Sequence, residues 1–286
     1  MFVGGMKIKS KRICAMTTAR NDTAFLEKWI AYYGQELGRE NLLILLDGHD
    51  QTPPPSAEGL NIVQLPFRHA NRAEADRRRA KLMSNFATGL FQHYDLVIAT
   101  DVDEFLVADP QTGMGLRAYL SSCSIGRSIS GLGLDVGQHP ELEPCLDLDT
   151  PFLIQRRFAQ VSARYTKSVV LGEPAVWGSG MHRVKGQNFV IDPNLYLFHF
   201  GMSDQALALG RATDPDRLNN GWGRHMNRRN RLKSRIVKTK KPGNDVQIAS
   251  CRKQFTWLRA VFSWNKPMSL PNEPIIAVPD RFRGIV

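Results

Sequence analysis

The sequence has few cysteines, and none of them are close together. Its 286 residues include four, at positions 14, 123, 145 and 251, and no two form a C-x-x-C pair. A zinc ribbon and a disulfide framework are therefore not expected, because both need closely spaced or regularly patterned cysteines. Scattered thiols also favour a reducing compartment.

A long apolar run is missing as well. No segment approaches the ~20 consecutive apolar residues that cross a bilayer as a helix. The opening MFVGGMKIKSKRICAMTTAR also lacks the uninterrupted apolar stretch of a secretory signal peptide. We therefore expect a cytoplasmic protein, with peripheral contact at the inner surface of the membrane as an alternative.

Acidic residues are outnumbered by basic ones. The chain carries 38 Lys and Arg against 27 Asp and Glu, a formal charge of +11. Such a surplus indicates polyanionic partners, which could be nucleic acid, an anionic membrane or phosphorylated small molecules. With 42% hydrophobic residues, the chain can nevertheless bury the core of one large α/β domain with an appendage.

Strand and helix patterns alternate over the first third of the chain. Near-continuous apolar runs predict strands, and apolar residues at helical spacing predict helices. The predicted strands are 12–19, 41–48, 60–67 and 95–105, and the predicted helices are 21–37 and 73–92. This order predicts an open α/β sheet.

Polar residues follow three of these strands directly. Arg20 and Asn21 follow the first strand, and Asp47 ends the second. Asp101 and its acidic neighbours stand at the end of the fourth. Because ligands of open α/β sheets gather beyond the carboxyl ends of the strands, we expect these three clusters to lie at one rim.

The strongest chemical signal is the group of carboxylates in YDLVIATDVDEFLVAD, residues 94–109. Asp101 and Asp103 are two positions apart, so on one strand both would point to the same face. Two convergent carboxylates bind Mg²⁺ or Mn²⁺ and hold the metal against phosphate oxygens. The alternative is that these acids cap a loop or pair with neighbouring arginines, since a bare D-x-D is common by chance.

Several motifs together resemble one family. ATDVDEFL resembles the DxDEF(L) signature of GT-A glycosyltransferases, in particular the bacterial family-two-like group related to family 92. In the same order along the chain, TTARNDTAFLEKWIAYY, LLILLDGHD, RYTKSVVL with GSGMHRV, and LYLFHFGMSDQAL are similar to other segments of that group. The resemblance extends from Arg12 to Arg211. It departs where the group's Asn-Glu is Asn21 and Asp22, and where the second strand ends in DGHD.

The resemblance implies an α/β fold of the GT-A type, in which a mixed, Rossmann-like sheet is flanked by helices. It also implies a donor site for a nucleotide-sugar, and UDP is the expected nucleotide. Asp101 and Asp103 would hold Mn²⁺ or Mg²⁺ against its diphosphate, and His199 would supply a third ligand. An imidazole ligand favours Mn²⁺ over Mg²⁺. Without the resemblance, a core histidine in an aromatic strand is the better interpretation of His199.

Further residues are assigned to the nucleotide because of the resemblance and their positions. Asp47 would accept hydrogen bonds from the base or ribose, and Lys167 would neutralise the diphosphate. The full set of candidate nucleotide-binding residues is Arg20, Asn21, Asp47, Lys81, Asp101 and Lys167. Solvated surface positions are the alternative for Arg20 and Lys167. Most charges on the helix that carries Lys81 are expected to face solvent.

The implied reaction moves the sugar to an acceptor hydroxyl. An inverting transfer needs a general base within hydrogen-bond reach of that hydroxyl. Asp135 and Glu173 are the candidates, since both lie between the metal motif and His199, and either could instead be a surface acid. His182 is a further catalytic candidate; it could also bind phosphate, line the acceptor pocket or pack in the core.

We expect a catalytic domain over residues 1–215 and a basic, partly helical extension over 216–286. The nucleotide-binding half of the domain would span about 10–110 and the acceptor half about 111–215. The extension contains the acid-free run 224–241 and a predicted aromatic and basic helix over 255–264. This helix would either lie at an anionic membrane surface or pack on the catalytic domain.

These observations predict a metal-dependent, hexosyltransferase-like glycosyltransferase of polysaccharide or glycoconjugate synthesis. Its partners would be a nucleotide-sugar and a glycan or lipid-linked acceptor. One alternative is a nucleic-acid-binding protein or metal-dependent nucleic-acid enzyme, although no recognised nucleic-acid-binding motif is present and no nucleic-acid partner is expected. The other alternative is a catalytically silent relative that binds a glycan.

Overall fold

The computed structural model describes residues 2–3, 6–7, 10–213, 223–260 and 263–286. The helices are α1 (Thr23–Leu37), α2 (Arg72–Leu90), α3 (Leu116–Ser122), α4 (Phe152–Gln155), α5 (Gln205–Thr213), α6 (Gly223–Lys238) and α7 (Asp245–Trp257). The strands are β1 (Phe2–Val3), β2 (Met6–Lys7), β3 (Ile13–Ala19), β4 (Leu42–Asp47), β5 (Asn61–Leu65), β6 (Leu96–Ala99), β7 (Glu104–Ala108), β8 (Ser128–Gly137), β9 (Phe158–Val161), β10 (Val170–Leu171), β11 (Ile191–Met202), β12 (Arg259–Ala260), β13 (Ser263–Pro267) and β14 (Ile275–Ala277).

A ten-stranded mixed sheet forms the centre of the molecule. Its main path runs β14-β9-β8-β10-β6-β3-β4-β5, and β11 joins it by pairing with β8 and β7. β3 is parallel to β4 and β6, and β4 is parallel to β5. β10 is antiparallel to both of its neighbours. The predicted α/β fold, with a mixed, Rossmann-like sheet flanked by helices, is confirmed.

The parallel strands form where the sequence is most apolar, because both faces of the sheet are covered. Side chains alternate between the two faces of β3. Ala15 belongs to the core cluster that contains Trp29 of α1, and Met16 belongs to the cluster that contains Met83 of α2. The two helices therefore pack on opposite faces of the strands that lead to the carboxylates.

The fourth predicted strand, 95–105, is interrupted, and the prediction of one continuous strand is wrong. β6 ends at Ala99, and a turn follows in which the Glu104 N–H donates to the Asp101 carbonyl oxygen over 3.0 Å. β7 then pairs with β11 instead of continuing beside β3. Asp101 and Asp103 therefore stand in a turn and do not share one face of a pleated strand.

Helix α1 supports this turn from the core side. The indole N–H of Trp29 donates to Thr100 Oγ1 over 2.8 Å. The Tyr33 hydroxyl accepts from the Leu106 N–H over 2.8 Å and donates to the Glu104 carbonyl oxygen over 3.3 Å. Because both rings are fully buried, the segment that carries the carboxylates is held against a packed surface.

The predicted helix over 255–264 is wrong. α7 ends at Trp257, and β12 and β13 then form a hairpin; residues 261 and 262 lie outside the described part of the chain. The Arg259 guanidinium donates to the Thr256 carbonyl oxygen over 2.7 Å, which satisfies a free carbonyl at the helix end. Trp257 and Trp264 are 75% and 54% exposed, whereas Phe255 is buried.

The C-terminal extension packs on the catalytic sheet. β14 pairs with β9, which places Ile275 opposite Gln160, and Phe255 of α7 and Ile236 of α6 are fully buried. The side chains of the acid-free run are described from residue 231 onward, and the division at residue 215 stays a prediction. Among the helices that the structure describes, none combines the length and apolar character required to cross a bilayer.

Trp29→Phe tests whether α1 holds the turn. The change removes the N–H donor and part of a fully buried ring, so we expect the free energy of unfolding to fall by about 2–4 kcal/mol. Trp264→Phe is the matched control, because that ring is half exposed, and its effect should stay within about 0.5 kcal/mol. Urea unfolding measures both variants, and equal losses would contradict the supporting role of Trp29.

Candidate functional site

A cavity of about 320 Å³ opens at the carboxyl ends of β3, β4 and β6. Arg20 follows β3, Asp47 ends β4, and Asp101 and Asp103 follow β6; all four line the cavity. The strand ends therefore meet at one rim, as the sequence predicts. Three more predicted site residues line the same cavity: Lys167, His182 and His199.

Four other predicted residues do not line this cavity, and one of them, Asp135, lines a neighbouring cavity. Lys81 is exposed on α2, and Glu173 pairs at the surface with Arg127, with 2.5 Å between Oε1 and Nε. Asn21 is an exposed neighbour of the cavity with a left-handed φ of 52°. Its side-chain oxygen accepts from Gln51 Nε2 over 2.9 Å. The structure gives Lys81 and Glu173 no place near the other candidates.

The carboxylates after β6 are compensated by basic side chains from other elements. Asp101 Oδ1 lies 2.7 Å from Arg79 Nη1 of α2, and its Oδ2 lies 3.2 Å from Lys167 Nζ. The same ammonium group lies 2.5 Å from Glu104 Oε1. Lys167 is 2% exposed and Glu104 is fully buried, so the interpretation of Lys167 as a solvated lysine is wrong.

Burial and ion pairing act in opposite directions on these groups. Burial opposes ionisation of Asp101, but Arg79 and Lys167 outweigh it and hold its pKa below the usual value. Burial raises the pKa of Glu104, and Lys167 offsets only part of that effect. Burial also opposes the charge of Lys167, yet Asp101 and Glu104 raise its pKa. Lys167 is therefore a buried cation at neutral pH.

A second ion-pair chain joins α5 to the cavity. Arg211 Nη1 donates to Asp103 Oδ2 over 2.8 Å, and Arg211 Nε donates to Asp22 Oδ1 over 2.6 Å. Asp22 stands at the N-cap of α1, but its side chain makes no cap hydrogen bond and instead pairs with Arg211. The guanidinium also lies over the Phe25 ring, 4.2 Å from its centroid. Arg211 thus ties Asp103 to the start of α1.

His199 is oriented by two neighbours. β11 aligns it opposite Glu104 of β7 and Asp135 of β8. Its Nδ1 lies 2.6 Å from Asp135 Oδ1, and its ring stacks on Tyr165 with 3.8 Å between centroids. Since a carboxylate only accepts, Nδ1 carries the proton and Nε2 faces Asp103 Oδ2 at 3.7 Å.

Asp103 Oδ2 and His199 Nε2 face each other at 3.7 Å, and Asp103 Oδ2 also accepts from Arg211 Nη1. A Cβ atom at Gly201 would lie 2.7 Å from His199 Nε2 and 3.2 Å from Asp103 Oδ2, so the glycine keeps this space open. A histidine that donates its other N–H to a carboxylate is also the usual arrangement around a bound metal. Carboxylate oxygen and imidazole nitrogen together suit Mn²⁺.

Asp101 is the third predicted ligand of the same metal ion. Its Oδ1 lies 2.7 Å from Arg79 Nη1 and its Oδ2 lies 3.2 Å from Lys167 Nζ, so both oxygens already contact a cation. Within the described ranges, no three His, Cys, Asp or Glu side chains converge closely enough to hold a metal ion. The ligand set of Asp101, Asp103 and His199 stays a prediction.

A second cavity, of about 600 Å³, adjoins the first and shares Arg164, Tyr165 and His182 with it. His182 donates its Nδ1–H to the Arg164 carbonyl oxygen over 2.9 Å. Burial, followed by the nearby charges of Lys167 and Arg164, lowers its pKa well below the usual value. His182 is therefore neutral, and its Nε2 is a hydrogen-bond acceptor at the border of the two cavities.

Arg20 and Asp47 form the opposite end of the first cavity. Arg20 stacks on Phe67, 3.8 Å from the ring centroid, and forms a bidentate pair with Asp50 at 2.9 and 3.0 Å. It also donates to the Asp47 carbonyl oxygen over 2.8 Å. Burial raises the pKa of Asp47, and Arg20 offsets part of this shift. The Arg20 guanidinium is thus held in place at the cavity wall.

The sequence predictions included Lys167 and, as an alternative, pairing of the acids with arginines, but they did not identify Arg79 and Arg211 as the partners. The helix before the fourth strand was expected to carry mainly solvated charges, yet one face of α2 lines the cavity. That face has helical spacing, and its residues are Arg72, Ala75, Asp76, Arg79 and Leu82. This spacing could have placed Arg79 on the cavity-lining face of the helix from the sequence alone. Arg211, Asp22 and Tyr165 had no local signal, because their roles depend on tertiary contacts.

No protein-family model matches this chain, and no curated protein matches it. One similar solved structure is the mannosyltransferase PcManGT from Pyrobaculum calidifontis in complex with GDP-Man and Mn²⁺. The two sequences are 14% identical, the match covers 44% of this chain and 36% of that protein, and the TM-score is 0.30. Another is mannose-1-phosphate geranyltransferase from Thermus thermophilus. The two sequences are 12% identical, the match covers 79% of this chain and 64% of that protein, and the TM-score is 0.29.

This chain spans 36% and 64% of the lengths of those two proteins. Both TM-scores are below 0.5. The fold class therefore rests on the strand order of this chain, and the site rests on its own contacts.

Lys167→Met tests the buried ion cluster. The variant leaves Asp101 and Glu104 without their shared cation, so we expect the free energy of unfolding at pH 7 to fall by about 3–5 kcal/mol. The exposed Lys81→Met is the matched control, with an expected change within about 0.5 kcal/mol. Urea unfolding at several pH values provides the measurement.

The loss in Lys167→Met should depend on pH. Without the cation, burial raises the pKa of Glu104 further, so the folded state binds more protons at this group than the unfolded chain does. Stability of the variant relative to wild type therefore rises as the pH falls toward 5 and decreases as it rises. A loss independent of pH would contradict the assignment of the penalty to the unpaired Glu104 carboxylate.

Proposed function

We propose that this chain is a glycosyltransferase that takes a sugar from a nucleotide-sugar and transfers it to an acceptor hydroxyl. The observation that carries the proposal is the cavity beyond the parallel strands, where Asp101 and Asp103 stand beside the cations Arg79 and Lys167. A diphosphate needs such cations, and the carboxylates can hold a divalent metal beside it. The resemblance of ATDVDEFL to the GT-A signature supports the same function.

The donor would lie along the first cavity. Asp47 at one end would accept hydrogen bonds from the base or ribose, next to the stacked pair of Arg20 and Phe67. The diphosphate would lie toward Lys167 and Arg79. Five further arginines line the same cavity: Arg68, Arg72, Arg78, Arg164 and Arg211. UDP is the nucleotide that the family resemblance implies.

Sugar transfer leaves negative charge on the departing diphosphate. Fixed charges stabilise it most effectively when they are in place before the reaction. We assign this role to Lys167 and Arg79, since Asp101 holds both of them. A divalent cation, Mn²⁺ or Mg²⁺, would be held by Asp103 and His199, with Asp101 as the further predicted ligand, and would add charge stabilisation when bound.

The acceptor hydroxyl would approach from the second cavity. Asp135 lines that cavity and is the base candidate that we retain, whereas Glu173 lies outside both cavities. His182 would accept a hydrogen bond from the acceptor, because its neutral Nε2 stands at the border. The acceptor would be a glycan or a lipid-linked saccharide, which places the chain in polysaccharide or glycoconjugate synthesis.

Nucleotide-dependent thermal stabilisation tests the proposal. We expect UDP to raise the Tm of the protein, and Mn²⁺ to increase the shift, because a ligand that binds only the folded state stabilises it. A panel of nucleotide-sugars should then show slow hydrolysis of one donor. If no nucleoside diphosphate raises the Tm with or without metal, the proposal is wrong. Binding without hydrolysis or transfer would instead identify a silent relative.

Gly201→Ala tests where the metal acts. The added Cβ would occupy the space between His199 Nε2 and Asp103 Oδ2, so we expect the Mn²⁺-dependent part of the UDP shift to be lost. Gly89→Ala is the control, since nothing lies within 4 Å of a Cβ atom there. Stabilisation by UDP alone should survive in both variants. An unchanged Mn²⁺ effect in Gly201→Ala would exclude the Asp103 and His199 site.

A further inference from the structure

The second cavity has two walls of different origin. One wall belongs to the central sheet and its loops and includes Asp135, Gln160 and Arg164. The other belongs to the C-terminal extension and includes Arg231 and Arg235 of α6 and Lys266, Pro267 and Ser269 in and after β13. The extension therefore completes a cavity beside the proposed donor site.

The lining of this cavity is unevenly charged. Among the described residues, four basic side chains line it, and they are Arg164, Arg231, Arg235 and Lys266. Two carboxylates also line it, and they are Asp135 and Glu273. The excess of positive charge inside a concave surface attracts and concentrates anions.

The two carboxylates are already engaged. Asp135 accepts from His199 Nδ1 over 2.6 Å. Glu273 accepts from Gln160 Nε2 over 2.7 Å and from the Ala163 N–H over 3.2 Å. Burial raises the pKa of Glu273, and its hydrogen bonds and the charge of Arg235 offset only part of this shift. Neither acid forms an ion pair with one of the four cations among the described residues.

None of the four cations forms an ion pair with a carboxylate in the part of the chain that the structure describes. Arg235 donates to the Glu273 carbonyl oxygen, which fixes its guanidinium at the wall. Guanidinium groups bind carboxylates and phosphates through paired N–H donors.

We infer that the second cavity binds an acceptor saccharide that carries an anionic group, either a phosphate or a carboxylate. The inference rests on the proposed function, because it takes the ligand of this cavity to be the acceptor. Arg231 and Lys266 hold the anionic group. The acceptor hydroxyl then lies toward Asp135 and His182, where the second cavity meets the first.

Ligand-observed NMR on the full chain tests this inference, with UDP and Mn²⁺ present so that the first cavity is filled. The probes are glucose 1-phosphate, glucuronic acid and glucose. We expect binding of at least one acidic probe and none of glucose, and the two acidic probes distinguish a phosphate from a carboxylate as the anionic group. Equal binding of glucose would overturn the inference.

The double variant Arg231→Gln with Lys266→Gln locates the site. It should weaken binding of the acidic probe about tenfold or more, since a hydrogen bond to a charged group is worth at least that factor. The control is Arg281→Gln with Arg283→Gln, which removes the same charge from the same extension outside the cavity. Equal losses in the two double variants, or no loss in the first, would overturn the placement.

The same experiment separates this inference from the proposed function. If UDP raises the Tm but neither acid binds, the anionic acceptor is excluded and the donor site stands. If an acid binds at Arg231 and Lys266 but no nucleoside diphosphate stabilises the protein, the proposed function fails and the anion site remains.

Discussion

The ammonium group of Lys167 is the contact on which the rest of the site depends. It is buried between Asp101 and Glu104, where β6 ends and β7 begins, so without it Glu104 would lie unpaired in the core and Asp101 would keep only Arg79. Arg79 from α2 completes the compensation of Asp101, and Arg211 from α5 compensates Asp103. These ion pairs fix the edge of a cavity and also give it the charges that a diphosphate ligand requires.

The sequence predicted the parallel half of the sheet because runs such as 41–48 are apolar enough to be buried on both faces. It did not predict the break after Ala99, since the apolar residues of β6 and β7 are nearly continuous and the change of partner strand is a tertiary event. The prediction of a helix over 255–264 was wrong for a related reason. Trp257 and Trp264 are exposed, so the aromatic residues of this segment do not form one buried face. Patterns within a segment predict its burial, but they do not predict its partner.

The candidate site shows the same limit. Asp101, Asp103 and His199 were found because their motifs are local, and the strand order brings them to one cavity. Arg211 was missed because it reaches Asp103 across more than a hundred residues of sequence. The C-terminal extension was expected to act at a membrane or to pack on the core; its described part packs and also builds one wall of the second cavity. If that cavity is the acceptor site that we propose, the extension forms one wall of it, and the basic residues of the extension help to bind the acceptor.

The most direct test of the central claim is a crystal structure with UDP and Mn²⁺, recorded at a wavelength where manganese scatters anomalously. We expect a manganese peak between Asp103 and His199 and the diphosphate against Lys167 and Arg79. A nucleotide bound elsewhere, or a manganese peak away from both Asp103 and His199, would contradict the claim.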